Sequence, residues 1–304
     1  MIGKIQKWKW LVVMVSVVAL LGAACGGGDE GDETGNGDAG QVEQYPADTT
    51  MGKIQDAGEI KVGVKYDVPL FGFKNPQTDE VEGFDVDMAQ LVADKLGVDL
   101  KPVEAISDNR IPFLQDGTVD LVFSTMTITV DRDAEIDFSR PYFIAHGKIL
   151  TPKDSGITGP DDLNGKKVCT ALGSTYEGLI PDLAPDADLN TVDSYSECFA
   201  LLQNGQTDAL VTDNVIDAGF LQQDDSLAIV GPDLTTDPYG AGVKDGDTEF
   251  ADFVSGVIED SFTDGTWQEL YDKWIGKYTG EEADDPSAMS LKQAFKFYPC
   301  DETC

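Results

Sequence analysis

A chain of 304 residues with 41% hydrophobic content can bury more than one apolar core, which excludes a disordered protein and points to two lobes. Its 56 acidic against 21 basic residues leave a formal net charge of -35, so nucleic acid and direct docking on anionic lipid are excluded as partners, because both need clustered Lys and Arg. An anionic small ligand stays admissible, since a site responds mainly to charges within about 8 to 10 Å once salt screens the rest.

The opening decapeptide, MIGKIQKWKW, sets Lys4, Lys7 and Lys9 ahead of an apolar run from Leu11 to Ala24. A positive flank and a short apolar core ending in small residues describe an export signal rather than a membrane span, which needs about 20 apolar residues. The end of the run, LLGAAC, resembles the bacterial lipobox, in which the cysteine becomes the lipidated first residue of the mature protein. Residues 1–24 are therefore expected to be a lipoprotein signal peptide and Cys25 the lipid anchor. Residues 25–51, rich in Gly, Asp and Glu without apolar periodicity, read as a self-repelling tether.

The folded body opens with Ile60, Val62 and Val64 alternating with Lys61, Gly63 and Lys65, a strand pattern. YDVPLFGF follows as a Pro and Gly loop at the strand end, where ligands are commonly met in open α/β sheets. EGFDVDMAQLVADKLGV predicts an amphipathic helix stopped by Gly97, Val98 to Val103 a strand, and Asn109 to Gly117 a short helix.

The stretch DLVFSTMTITVDRDAEIDFSRPY, Asp120 to Tyr142, carries the most chemistry. Leu121, Val122 and Phe123 end a buried strand, and Ser124, Thr125 and Thr127 then present hydroxyls and free N–H groups. A helix starts next, capped by Asp131 or Thr129, with Arg132 in its first turn, where a cation opposes the helix dipole. A planar guanidinium beside hydroxyls and N–H groups makes a carboxylate cradle; the alternative is a surface arginine paired with Asp131, Asp133 or Glu135.

The second half repeats the alternation. Gly147 to Thr151 reads as a strand-like crossing and KKVCTALGST as a strand ending at Gly173, Ser174 and Thr175, where TYEGLI starts a helix. Ser174 and Thr175 there are either a second carboxylate site or simple helix caps. DADLNTVDSY, a helix from Ser196 to Leu202 and the strand DALVTD complete the repeat, and Asp213 at its end is placed to receive an ammonium group. YGAGVKDGD reads as the return crossing and Asp247 to Ile275 as helices whose Trp267, Leu270, Tyr271 and Trp274 pack a core. Alternating strands and helices make the class α/β with largely parallel pairing.

With Cys25 set aside, four cysteines remain. The simplest pairing is Cys169 with Cys198 and Cys300 with Cys304, although three connectivities are open. No His or Cys cluster has metal-ligand spacing, and the one histidine, His146, is assigned to the crossing. No cofactor is expected.

Taken together, KVGVKYDVPLFGF, EGFDVDMAQLVADKLGV, the Asp120 to Tyr142 stretch, GST, DALVTD and DGTWQELYDKW resemble the bacterial extracellular solute-binding proteins of family 3, the polar amino acid receptors of ABC importers. The resemblance implies a two-lobed periplasmic-binding-protein-like fold of type II, with two crossings near Ala145 to Thr151 and Tyr239 to Lys244 and the ligand between the lobes. The expected division is 52–146 with 245–280 for the first lobe, 147–244 for the second and 281–304 for a tail.

Carried over residue by residue, Arg132 would hold the ligand α-carboxylate, Thr175 would assist from the second lobe, and Asp213 would accept the α-ammonium. Ser124, Thr125 and Thr127 would bind the rest of the amino acid backbone, and Phe71 would cover the ligand. Relatives that bind cationic amino acids tend to carry an acid where this chain has Lys65; with Arg110, that substitution points to an acidic side chain. The local run and Cys169 with Cys198 look most like glutamate receptors of Gram-positive actinobacteria. The expected ligand is glutamate, followed by aspartate, glutamine or asparagine. The expected partners are a permease, an ATPase and the outer face of the cell membrane through the lipid on Cys25, with the protein a monomer. Two other readings use the same fold: a cyclohexadienyl or arogenate dehydratase, which would need a positioned acid or base, and a ligand-sensing partner of a signalling receptor.

Overall fold

The computed structural model describes residues 42–280 and 282–299. The positions expected to carry lipid (Cys25) and the second disulfide (Cys300, Cys304) lie outside the described residues, as do the signal and most of the tether.

In chain order the elements are α1 (Thr50–Ala57), β1 (Glu59–Val64), β2 (Asp67–Val68), β3 (Gly72–Lys74), β4 (Val81–Glu82), α2 (Phe84–Leu96), β5 (Asp99–Glu104), α3 (Arg110–Asp116), β6 (Leu121–Val122), α4 (Val130–Asp133), β7 (Ile136–Ala145) and β8 (Gly147–Pro152). They continue as β9 (Lys167–Ala171), α5 (Tyr176–Leu183), β10 (Asp188–Val192), α6 (Tyr195–Gln203), β11 (Ala209–Asp213), α7 (Asn214–Leu221), β12 (Leu227–Val230), β13 (Asp237–Lys244), α8 (Thr248–Asp264), α9 (Thr266–Tyr271), α10 (Lys277–Thr279) and α11 (Leu291–Ala294).

Two five-stranded sheets carry the fold, in the orders β5-β1-β6-β13-β7 and β10-β9-β11-β8-β12. In each, three strands run parallel, β1 beside β5 and β6, and β9 beside β10 and β11. The strands next to the crossings run antiparallel. The fold is thus α/β with two lobes, and its parallel half ends at the same edge as the chemistry: Phe123 to Thr129 leave β6, Gly173 to Thr175 leave β9, and Asp213 closes β11.

Local sequence explains most elements. Ile60, Val62 and Val64 are fully buried in β1. In α2, Phe84, Met88, Val92 and Leu96 recur at helical spacing and are buried, and Gly97 ends the helix at φ 70°, a left-handed cap that favours glycine. Trp267 and Tyr271 belong to the core, where Trp267 Nε1 donates to the Tyr142 carbonyl at 2.8 Å.

One boundary differs from the expectation. The first crossing falls at His146, between β7 and β8, but Tyr239 to Lys244 is not a crossing. It lies in β13, which pairs with β7 and β6, so the second crossing spans 231–236 and the chain has rejoined the first sheet by Asp237. A run with Tyr, Ala and Val at alternate positions between glycines carries a strand signal, and as β13 it closes the first sheet instead of crossing between lobes. Gly240 and Gly242 sit under Ile128, Phe138 and Ile136, where added Cβ atoms would stand only 2.7 to 3.1 Å from those side chains and Leu114. The helix α7 lay outside the sequence reading altogether.

The segment 282–299 is not a loose tail. Its α11 starts with a capping box at Ser290 and Gln293, and Ala294 is fully buried against the first-lobe cluster that contains Leu114, Met126 and Ile128.

Cys169 on β9 and Cys198 on α6 form a disulfide, bracing the second lobe across a sequence separation of 29. Chain-entropy arguments put the effect of closing such a loop at about 3 to 4 kcal/mol. The double variant Cys169→Ala with Cys198→Ala is expected to lose about that much in urea unfolding; a loss under 1 kcal/mol would contradict it.

Candidate functional site

Beyond β6 the backbone turns sharply, with Thr125 at φ 44°, a left-handed conformation uncommon outside glycine. Asp85, in the first turn of α2, holds it there: Oδ2 accepts the Thr125 N–H at 2.8 Å, and Oδ1 accepts the Tyr142 hydroxyl at 2.7 Å. With the turn fixed, the carbonyls of Ser124 and Thr125 receive Arg110 Nη1 at 2.9 and 3.0 Å, while Arg110 Nε donates to the Ser107 carbonyl at 3.0 Å. The Ser124 hydroxyl donates to the Ala105 carbonyl at 2.8 Å, a structural use.

Thr129, not Asp131, caps the short helix, its hydroxyl accepting the Arg132 N–H at 3.1 Å. The Arg132 guanidinium turns into the cleft, giving Nη1 to the Thr127 carbonyl at 2.7 Å and Nη2 to the Gly173 carbonyl at 2.9 Å. Arg110 Nη2 reaches the same Gly173 carbonyl at 3.3 Å. Arg110 and Arg132 therefore touch the second lobe at one atom. Gly173 has to be glycine: its φ is 74°, and a Cβ there would stand 2.6 Å from the Asp108 Cα across the cleft.

Lys65 follows β1 and is only 2% exposed. Its ammonium donates to Ser107 Oγ at 2.7 Å and stands 5.7 Å from the centre of the Tyr195 ring. Among the described residues no carboxylate lies within ion-pair distance of it. Burial first, and the Arg110 charge second, pull its pKa well below the ordinary lysine value. Arg110 is drawn down to about 9 by burial and by Arg132, and Arg132 is lowered by burial. The first lobe thus gathers three cations whose free energy would fall if an anion joined them.

The second lobe supplies the opposite charge. Asp213 is buried at the end of β11, and its Oδ1 accepts the Tyr176 hydroxyl at 2.7 Å. The same hydroxyl reaches Asp237 Oδ2 at 3.3 Å, so one tyrosine links two carboxylates. Asp237 also receives the Thr127 hydroxyl at 3.4 Å, the Thr235 hydroxyl and the Tyr298 hydroxyl at 2.5 Å. Burial followed by repulsion from Asp237 raises the Asp213 pKa, and burial raises Asp237. An ammonium group would relieve both.

Of the other expected residues, Thr127 stands in the network through both its carbonyl and its hydroxyl. Ser174 Oγ lies 3.2 Å from Thr170 Oγ1. Thr175 takes the N-cap place of α5 without a capping bond from its side chain. The Gly173 N–H, ahead of that helix, donates to Glu177 Oε2 at 3.1 Å. Phe71 is fully buried, with the rings of Phe143 at 5.1 Å, Phe84 at 5.8 Å and Tyr239 at 6.0 Å. The aromatic ring beside Lys65 is Tyr195, which sequence reading assigned only to a strand and helix boundary. Asp85, Asp237 and Tyr298 also escaped it. His146 lies at the first crossing, its Nε2 2.6 Å from Asp284 Oδ2.

A cleft of about 260 Å³ opens onto Arg110, Arg132, Ser107 and Gly173. A larger cavity of about 560 Å³ lies beside the first crossing, between His146, Asn214 and Tyr271, away from the cation cluster.

The chain belongs to the bacterial extracellular solute-binding proteins, family 3, whose model matches residues 60–277. It is 38% identical over 269 residues to the glutamine-binding protein of an ABC transporter of Bacillus subtilis, covering 87% of this chain and 95% of that one. It is 34% identical over 235 residues to a glutamate-binding protein of Corynebacterium glutamicum, covering 72% and 79%. Among solved structures, an ancestral arginine-binding protein bound to glutamine superposes with a TM-score of 0.68 at 37% identity, covering 72% of this chain and 98% of that one. The chain is therefore a solute-binding protein of this family rather than an enzyme.

Asp85 gives the site a pH signature. Burial lifts its carboxyl from 3.8 to about 7, against the pull of Tyr142, Thr125 and the nearby cations. An acid whose folded pKa is raised favours the folded state when protonated, so its contribution is neutral below about pH 4 and increasingly unfavourable up to about pH 7. The full penalty is on the order of 4 kcal/mol. Asp85→Asn is expected to flatten the loss of stability between pH 5 and 8 in chemical unfolding of the unliganded protein; an unchanged slope would exclude this role.

Proposed function

We propose that this chain captures an acidic L-amino acid, glutamate before aspartate, glutamine or asparagine, and delivers it to a membrane permease driven by an ATPase. The observation that carries the acidic preference is Lys65: a cation 2% exposed, bonded to one serine hydroxyl and to no carboxylate among the described residues. Burying an ammonium costs several kcal/mol, and a ligand side-chain carboxylate would offset that cost. Arg110 cannot take this part alone, because its donors are engaged by the carbonyls of Ser107, Ser124, Thr125 and Gly173.

In this reading the first lobe comprises residues 50–145 and 237–280 and the second 147–230. When the lobes part, the Arg132 fork gives up the Gly173 carbonyl and receives the ligand α-carboxylate, assisted by Thr125 and Thr127 and, from the second lobe, by Ser174 and Thr175. Asp213, paired with Asp237 through Tyr176, receives the α-ammonium. Closure then requires only that the ligand contact both lobes better together than apart. No bond is made or broken. Export on the signal of residues 1–24 and lipidation at Cys25 would hold a monomeric receptor at the outer face of the membrane on the acidic tether.

Two measurements test this. Arg132→Ala is expected to weaken glutamate binding by at least about a hundredfold in titration calorimetry, the usual consequence of removing one partner of a buried charge pair. Equal binding would remove Arg132 from the clamp. Lys65→Gln is expected to lower the ratio of glutamate to glutamine affinity by about ten- to a hundredfold, the worth of one charge-assisted bond; an unchanged ratio would assign the selectivity elsewhere.

A further inference from the structure

The match to the family ends at residue 277, yet the chain beyond it returns to the cleft. His146 Nε2 meets Asp284 Oδ2 at 2.6 Å, pinning the segment to the first crossing, and the Arg140 guanidinium holds the Ser287 carbonyl. Further on, α11 buries Ala294 in the first lobe, and the Val130 N–H donates to the Tyr298 carbonyl at 3.3 Å. That bond sits two residues before Arg132. It aims the Tyr298 side chain inward, where its hydroxyl donates to Asp237 Oδ1 at 2.5 Å and lies beside the hydroxyls of Thr175 and Thr235. Burial and the Asp237 charge raise the pKa of this phenol, so it stays a donor at any physiological pH.

We propose that Tyr298 is a positioning residue of the ligand clamp: it holds the Asp237 carboxylate in line with the Tyr176 hydroxyl and Asp213, and so favours the closed arrangement of the lobes. Two of the other donors to Asp237, Tyr176 and Thr127, stand at 3.3 and 3.4 Å and are therefore weak. Without Tyr298 the carboxylate would depend mainly on Thr235, which sits in the second crossing and moves with it. Tyr176 and Thr175 belong to the second lobe, whereas α11 rests on the first, so Tyr298 meets all its partners only when the lobes are together. A segment outside the family-matched body thereby sets how readily the jaws stay shut.

The proposal rests on the reading of Asp213 and Asp237 as the ammonium-binding pair, and two independent measurements in the full chain separate the two. Calorimetry with L-glutamate and with L-glutamine on Tyr298→Phe, Asp237→Asn and the double variant tests the coupling. Tyr298→Phe is expected to bind about tenfold more weakly, and to have no such effect where Asp237 is already Asn. Small-angle scattering of the unliganded proteins tests closure, with Tyr298→Phe shifted to a larger radius of gyration. An unchanged radius, or a tenfold loss that persists in the Asp237→Asn background, overturns the proposal. If the unsubstituted chain binds neither amino acid, the ligand reading falls, and the scattering comparison alone then decides the role of Tyr298.

Discussion

Everything in this protein turns on three cations placed where a strongly acidic chain can least do without them. Lys65, Arg110 and Arg132 converge at the joint between the lobes, in a molecule whose formal net charge is -35. Screening reconciles the two facts, because acids more than about 10 Å away are largely invisible to the joint. Desolvation then becomes the governing term, and it acts on all three cations in the same direction. The fold answers with carbonyl oxygens. Ser107, Ser124, Thr125, Thr127 and Gly173 all turn their carbonyls toward guanidinium groups. Dipoles stabilise a cation without cancelling it, so the site remains electrostatically unsaturated. A carboxylate in the same places would have neutralised the site and left nothing for a ligand to do.

That arrangement explains why Asp85 is buried at some cost. It does not pair with any of the three cations within ion-pair distance; it bonds the Thr125 N–H and the Tyr142 hydroxyl. Its work is to keep Thr125 in a left-handed turn, which is what points the carbonyls of Ser124 and Thr125 at Arg110. A strained residue persists only where its surroundings over-determine it, and here a fully buried carboxylate supplies that constraint. The raised pKa of Asp85 is the local consequence.

How much of this the sequence discloses depends on distance along the chain. Helix α2 and its Gly97 cap and the strand over Ile60 to Val64 follow from neighbours a few residues apart, and they were legible; the cap at Thr129 was legible only as one of two candidates. Arg132 stands oddly in its local context and Asp213 at a strand end, so the sequence singles both out; Lys65 stands out only against the residues that relatives carry at its position. Asp237 and Tyr298 were not, because their meaning comes from contacts over 61 residues between them and over 110 to Thr127. β13 reads as a crossing for a related reason: its glycines serve close packing against Ile128, Phe138 and Ile136, partners about a hundred residues away in the chain, and their presence masks the alternation of Tyr239, Ala241 and Val243.

The two lobes also differ in what they contribute, and the difference bears on how such a receptor can close. The first lobe meets the second through two guanidinium groups on the Gly173 carbonyl, an acceptor that carries no net charge. A ligand carboxylate can replace that carbonyl with little rearrangement, and it carries a full charge where the carbonyl carries a dipole. The second lobe meets the first through Tyr176 bridging Asp213 and Asp237, an interaction that joins two like charges and is therefore poor by itself. An ammonium group between them converts repulsion into attraction. At both contacts the cross-lobe bonds of the protein are weaker versions of bonds that an amino acid can make, which is the condition for a ligand to shift the balance toward closure rather than merely to occupy the cleft.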